Sequence, residues 1–458
     1  MVRLNELAEE LRLEIAYHVS DPVDLCNLAL AFQAMRIPAQ ETLHRHASVS
    51  GNDLAKPRIM FLARTLLDRP DLGEKILSLD MLVSESKHGH HQDCITGCCF
   101  CYFGQLSAAA KSLVRKSTVT NEKWTSLLGQ GSEPAYVGLL LMLTPNLGSL
   151  KLEAICSLRS RWDRLPVRPN ISAYFGVEME HFLPGDIPGL AKLKSISAPG
   201  TLAWTWMSSP NLKKATLGTY SLNHSSLERE LLRSDDWHFS PHLARLTVCC
   251  DLEDFQRRNS RTLRRWLRSL VSGIETLRHV IIHIDVTRCY SATADDWARG
   301  CYDNLIGLAM PIGPTLESVI IENRMAANHD LLGYFNSVPR LLSFEFFPYL
   351  QRFVAPLNAY MSVEEAANGR VTSAAFPAPP ATIQTLEVMN PGGAHEHIEQ
   401  WGVFVSFGRS VGRWPKLQTV VLHQLPAGAL DRPIWRSFGR LGVEVKAGRR
   451  MEDTEPIE

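Results

Sequence analysis

The sequence predicts an α/β chain: three short N-terminal helices, then an irregular solenoid of parallel strands and returning helices. Apolar residues within the first fifty or so positions recur every three or four, the period of a helix face. Beyond them one phrase keeps returning: a Pro-, Gly- or Ser-marked turn, a leucine or its equivalent, then apolar residues three and five positions later. Composition bounds the rest. A hydrophobic content of 45% with 21% charged residues is typical of a folded chain, and 48 basic against 48 acidic residues leave no overall field favouring nucleic acid or an anionic membrane.

Leu4, Leu7, Leu11, Ile15 and Val19 lie on one stripe of the first helix. Ser20-Asp21-Pro22 stops it and starts the next, with Asp21 suited to the N-cap, Pro22 to the first helical position and Asp24 to the positive end of the dipole. Leu25, Leu28, Leu30 and Phe32 are the apolar positions of this second helix. Ile37-Pro38 is read as its break, and Ala39 to His46 as a third helix. Three such helices are too few to bury a core of their own comfortably, so leucines are expected at the surface, where a contiguous apolar patch marks a partner site.

Three groups of residues give this stretch a family likeness: Leu7-x-x-Glu10-Leu11-x-x-Glu14-Ile15, the turn and helix Ser20-Asp21-Pro22-x-Asp24-Leu25-x-x-Leu28, and the closing Leu43-His44-Arg45-His46. Together they resemble the F-box, although Ala8 stands where family members ordinarily have proline. The F-box docks onto a Skp-type adaptor, which joins it to a cullin-RING ubiquitin ligase. The resemblance therefore implies that Leu7, Leu11, Ile15, Leu25 and Leu28 face either that adaptor or the small bundle core. The alternative is an N-terminal cap with all its leucines turned inward.

Phe61 to Pro70, then Leu72 and the run Leu79-x-Met81, resemble the helix and first repeat strand that follow the F-box in many fungal F-box proteins. Arg58 to Leu67 is read as that helix and Ile76 to Leu82 as that strand. The recurring phrase then appears at Leu147-x-x-Leu150-x-Leu152, Leu190-x-x-Leu193, Leu212-x-x-Ala215-x-Leu217 and Leu243-x-x-Leu246-x-Val248. It continues at Leu277-x-x-Val280-x-Ile282, Leu316-x-x-Val319-x-Ile321 and Leu341-x-x-Phe344-x-Phe346, and ends at Ile383-x-x-Leu386-x-Val388 and Leu417-x-x-Val420-x-Leu422. Leu441-x-Val443-x-Val445 is read as a closing strand.

Alternate residues of a short strand share one face, and the leucine before it anchors the incoming turn. One such strand cannot bury its face alone, but a parallel stack can, and that is the leucine-rich-repeat solenoid. Amphipathic segments supply the returning helices: Leu227 to Arg233, Thr262 to Ser272, Asp295 to Ala309, Leu331 to Ser337 and His395 to Val411. Spacing between anchors is irregular and mostly longer than the roughly 20 to 29 residues of a standard repeat, so the array is leucine-rich-repeat-like and degenerate. An ordinary α/β domain with parallel strands is the alternative. The predicted organisation is an F-box-like helical domain at 1–50, a solenoid at 51–447 with an insertion at 84–105 and a loop at 358–381, and a disordered tail at 448–458.

Candidate chemistry is sparse. His88, His90, His91, Cys94, Cys98, Cys99 and Cys101 cluster, but spacing rather than count makes a zinc motif, and no paired C-x-x-C is present, so no metal is assigned. Gly408-x-Ser410-x-Gly412 matches a nucleophile elbow without a following helix or an acid before His423, which makes it a chance match. His395-Glu396-His397 lacks the spacing that sets two ligands on one helical face. Arg257, Arg258, Arg261, Arg264, Arg265 and Arg268 fall on one predicted helix, more simply a solvated face than a grip for acidic substrates. Trp204 and Trp206 are read as alternating on a strand-like segment, either completing a core or exposed for binding.

No catalytic residue and no cofactor is expected. Ten cysteines without a disulfide framework, no secretory h-region and no apolar run longer than Val137 to Leu143 indicate cytoplasm or nucleus and no membrane span. The expected function is the substrate-recognition subunit of an SCF-type ubiquitin ligase, with a Skp-type adaptor on the helices and an unidentified target protein on the repeats. The other reading is a non-catalytic interaction scaffold whose F-box-like cap is not coupled to a ligase.

Overall fold

The computed structural model describes residues 4–49, 58–84, 98–117, 121–155, 174–176, 184–198, 204–218, 239–251, 265, 268–285, 310–324, 344, 347–360, 379–389, 395–423 and 428–448. Among these the chain is α/β, with N-terminal helices followed by parallel strands that take their places in chain order, as in a solenoid. It divides into two compact units, residues 1–215 with 238–242 and residues 216–237 with 243–458.

The first unit opens with α1 (Glu9–Tyr17), α2 (Pro22–Ala31) and α3 (Arg36–Arg45). α3 begins earlier than its sequence suggests. Pro38 sits in its first turn, where a missing N–H costs no intrahelical bond, so it starts this helix instead of breaking the previous one. His46 is no longer helical: it begins β1 (His46–Val49), a strand that the sequence pattern did not reveal, paired in parallel with β2 (Ser78–Ser84). Between them run α4 (Arg58–Asp68) and α5 (Pro70–Lys75).

The expected insertion is only partly one. Residues 85–97 lie outside the described residues, but Cys98 already opens α6 (Cys98–Lys116), which buries Leu106, Ala110 and Val114 at successive turns. α7 (Glu122–Gly129) follows, capped by Asn121, whose Oδ1 accepts from the Trp124 amide at 2.7 Å. α8 (Glu133–Leu143) is buried almost all round, so the apolar run at Val137 to Leu143 is a core helix. A Cβ at its Gly138 would collide with the Tyr174 carbonyl, so only glycine permits that approach. β3 (Ser149–Ile155), α9 (Pro188–Ala191), β4 (Ser195–Ala198) and β5 (Lys214–Gly218) complete this stretch of the chain.

The strands of the second stretch are β6 (Arg245–Asp251), β7 (His279–Asp285), β8 (Ser318–Arg324), β9 (Arg352–Pro356), β10 (Thr385–Met389), β11 (Thr419–His423) and β12 (Glu444–Gly448). Described helices here are α10 (Leu357–Tyr360), α11 (His395–Ser410) and α12 (Pro433–Arg440). Of the phrase at Leu341 to Phe346 only Phe344 falls among the described residues. Phe344 is buried without strand pairing, and β9 follows Pro348-x-Leu350-x-x-Phe353-x-Ala355, a second copy of the phrase nine residues later. The closing strand starts at Glu444, and Gly448 belongs to it, not to a tail. The segments 227–233, 295–309 and 331–337, most of the loop at 358–381 and the tail from 449 lie outside the described residues.

Register is set at the start of most strands. One carbonyl there accepts two successive amides from the next repeat: Leu77, Gly148 and Lys194 in the first unit, Ala244, Arg278, Glu317, Gln351 and Gln384 in the second. A second tie comes from the residue before the anchor. Thr276, Thr315 and Thr382 donate their hydroxyls to the carbonyls of Leu243, Leu277 and Leu350, the anchors one repeat back, at 2.9 to 3.1 Å. Asn146 and Asn211 do the same work through their amides, to Glu74 and Ala191.

Candidate functional site

The three opening helices form a small bundle with its own centre. Ala16, Leu25, Met35 and Ala39 are buried, with Leu4, Val19, Leu28, Ala29 and Leu43 packed against them. Asp21 caps α2 by accepting the Val23 amide at 2.8 Å, whereas α1 starts after Ala8 with no side-chain cap. Arg12 donates to the Ala34 carbonyl at 2.9 Å, and the Arg45 guanidinium lies 4.7 Å from the centre of the Tyr17 ring. Lys75, paired with Glu41 at 3.1 Å, and the Leu77 amide, donating to the Arg45 carbonyl, tie the bundle to α5 and the approach to β2.

The five adaptor-facing candidates separate. Leu25 is 4% exposed and belongs to the bundle core, and Leu28 packs on that core half-buried. Leu7 is half-buried. Leu11 and Ile15, one turn apart on α1, remain 54% and 37% exposed. Four more apolar side chains are exposed: Val23 and Leu30 on α2, Phe32 at its end and Ile37 on α3, with Leu30 at 86%. Helical periodicity picked out Leu30 and Phe32 as apolar positions but not the side they would take. Burying one such aliphatic side chain against a partner contributes about 1.5 to 3 kcal/mol.

The sheet offers two faces, and the leucine phrase fills one of them. On the other, β2, β3 and β4 carry Ser78, Asp80, Ser149, Lys151, Glu153, Ser195 and Ser197, all partly or fully accessible. Lys151 pairs with Asp80 at 3.3 Å and Glu153 at 3.0 Å. In the second unit the equivalent face is apolar and buried at Ile281, Ile320 and Val354, with Met389 packed beside them.

Polar groups on that second face are engaged. Glu387 accepts from Arg352 Nε at 2.6 Å on one oxygen and faces His423 Nε2 at 3.0 Å with the other. Burial pushes its carboxyl up, but the hydrogen bonds from His423 and Arg352 outweigh this and hold it below the usual carboxylate range. Tyr360, whose phenol burial raises, donates to the Glu387 main-chain carbonyl at 3.0 Å. His283 pairs with Glu322 one row further along. With both Glu387 oxygens occupied, this cluster is arranged as a structural tie between strands.

The remaining sequence candidates fall elsewhere. Trp204 to Ser208 is a 3-10 turn, not a strand, and Trp206 is buried with its ring 5.5 Å from Tyr174. Ser410 ends α11 and donates its hydroxyl to the Phe407 carbonyl at 2.7 Å. Arg265 and Arg268 are exposed; Arg257, Arg258, Arg261 and Arg264, like His88 to Cys94, lie outside the described residues. No group of three metal-ligating side chains occurs among the described residues, and no helix among them is long and apolar enough to cross a membrane. No protein-family model matches the chain, and no curated protein matches it.

Proposed function

We propose that the chain is the substrate-recognition subunit of an SCF-type cullin-RING ubiquitin ligase, acting in cytoplasm or nucleus. The N-terminal helices act as an F-box and hold a Skp-type adaptor; the leucine-rich-repeat-like array holds a target protein. The supporting observation is that a bundle with its own core still leaves Leu11 and Ile15 open to solvent one turn apart, with Leu30 and Phe32 exposed nearby in sequence. The chain contributes binding and geometry: tethering raises the target's effective concentration near the conjugating enzyme, which speeds transfer with no catalytic side chain of its own.

Replacing Leu11→Asp together with Ile15→Lys tests this. The double variant is expected to lose co-purification with a Skp-type adaptor by a hundredfold or so, the equivalent of about 3 kcal/mol of lost apolar burial. Its thermal unfolding midpoint should stay within a degree or two of the parent, because neither side chain belongs to the bundle core. Undiminished adaptor capture would overturn the assignment. A second reading, an interaction scaffold without ligase coupling, is kept in view by Ala8, which leaves α1 without the family's usual proline and without a side-chain cap. In that case the parent protein itself would not capture the adaptor.

A further inference from the structure

Across β6, β7, β8 and β9 the residues that open each strand stand in register: Arg245 opposite His279, His279 opposite Ser318, Ser318 opposite Arg352. All four lie on the sheet face away from the leucine core. Arg245 is half-buried, and its side chain makes no hydrogen bond or ion pair with any described residue. Arg352 is held through Nε by Glu387, and its terminal nitrogens have no partner among the described residues. Glu317, next to Ser318 in the chain, is paired with Arg278 at 3.3 Å.

A guanidinium such as Arg245 that has lost part of its water and gained no counter-charge is costly, and Arg352 on the same face, although paired with Glu387, repels it as well. The electrostatics agree: desolvation, then the neighbouring Arg352 charge, bring Arg245 down from its ordinary value. Desolvation also lowers His279; Glu317 counters it, and Arg245, Arg352 and Arg278 lower it further. An anion seated on the row would offset the desolvation and the repulsion together. A carboxylate has two oxygens and a single charge, enough for one guanidinium fork. A phosphate monoester has three oxygens and close to two charges, enough for both arginines while a hydroxyl or imidazole reaches the remaining lone pairs.

We propose that Arg245, His279, Ser318 and Arg352 form a binding site for a phosphate monoester. The site stands apart from the ligase reading, since binding there needs no adaptor. The phosphate belongs either to a small molecule or to a phosphorylated protein side chain.

The full chain is heated in chloride buffer and in inorganic phosphate at matched ionic strength. It is then titrated with a degenerate peptide mixture bearing a central phosphoserine and with its unphosphorylated counterpart. Phosphate at tens of millimolar is expected to raise the unfolding midpoint by several degrees over chloride. Binding of the phosphopeptide at least tenfold tighter than phosphate would identify a protein ligand; equal affinity would identify a small molecule. Arg245→Met should abolish the phosphate-dependent rise yet be no less stable than the parent in chloride, because it removes an uncompensated charge. Lys151→Gln, on β3, should leave the rise intact. No difference between phosphate and chloride would overturn the proposal. So would an Arg245→Met protein that is destabilised in chloride, or one that still responds to phosphate.

Discussion

Glu387 accepts bonds from two strands at once, Arg352 on β9 and His423 on β11, while its own strand lies between them. A carboxylate held this way has a folded-state pKa below its unfolded value. Its stabilisation is therefore full above the unfolded carboxylate range and is lost as pH falls through the folded pKa. Glu387→Gln should cost about 2 to 3 kcal/mol at neutral pH, the worth of charge-assisted bonds to a buried anion. The gap between parent and variant should close on acidification, and urea unfolding from neutral to acidic pH checks both points. Unequal fates of similar residues show the limit of the sequence at this scale. Leu11 and Leu25 both sit at good helical positions, yet one faces solvent and the other the bundle core, because the choice depends on where α3 packs. Likewise Arg245 and Arg352 look ordinary until strand register sets them in one row.

Among elements, the recurring phrase was legible because it states both requirements of a stacked strand, an anchor and two inward side chains. It was degenerate where two copies follow one another nine residues apart. Leu341 to Phe346 and Leu350 to Ala355 both satisfy it, and the second is the one that supplies β9. Phe344 instead packs edge-on against Phe353, ring centres 4.8 Å apart, within the approach to β9. The residue before each anchor carries a signal that the apolar pattern misses. Thr276, Thr315 and Thr382 stand directly before a buried anchor, and each satisfies a carbonyl that the preceding repeat leaves open. Thr315→Val keeps the shape and removes the donor, so the Leu277 carbonyl goes unsatisfied. A loss of about 1 to 2 kcal/mol is expected in urea unfolding. Short strands such as β1 stay hidden for the opposite reason: His46 to Val49 has one buried residue, too little for any pattern.

For the whole molecule, stability in a stacked array is a sum of each repeat and its nearest neighbours. Val354 is fully buried between Ile320 and the start of the Glu387 tie, so Val354→Ala should cost about 1 to 3 kcal/mol. Hydrogen exchange should then speed up at the amides of β8 to β10 while β2 and β3 keep their protection, since neither of these two strands borders the altered repeat. Uniform loss across both sets would mean a single cooperative core. The parallel, sequential order of strands was evident from the repeats; the burial of one sheet face in the second unit was not. Ile281, Ile320 and Val354 sit at alternate positions that a leucine phrase leaves unspecified.

The carbonyl that accepts two amides, found at eight strand starts, has a consequence for how such a chain can grow. Alignment of neighbouring strands is settled by a clamp of two adjacent amides, so the stretch from one clamp to the next can vary freely in length. Lys194 to Lys213 is a short span and Leu77 to Gly148 a long one, yet both end in the same clasp. Added chain is spliced between fixed points and shifts nothing downstream, which makes the connections, and not the strands, the places where new segments enter without disturbing the ladder.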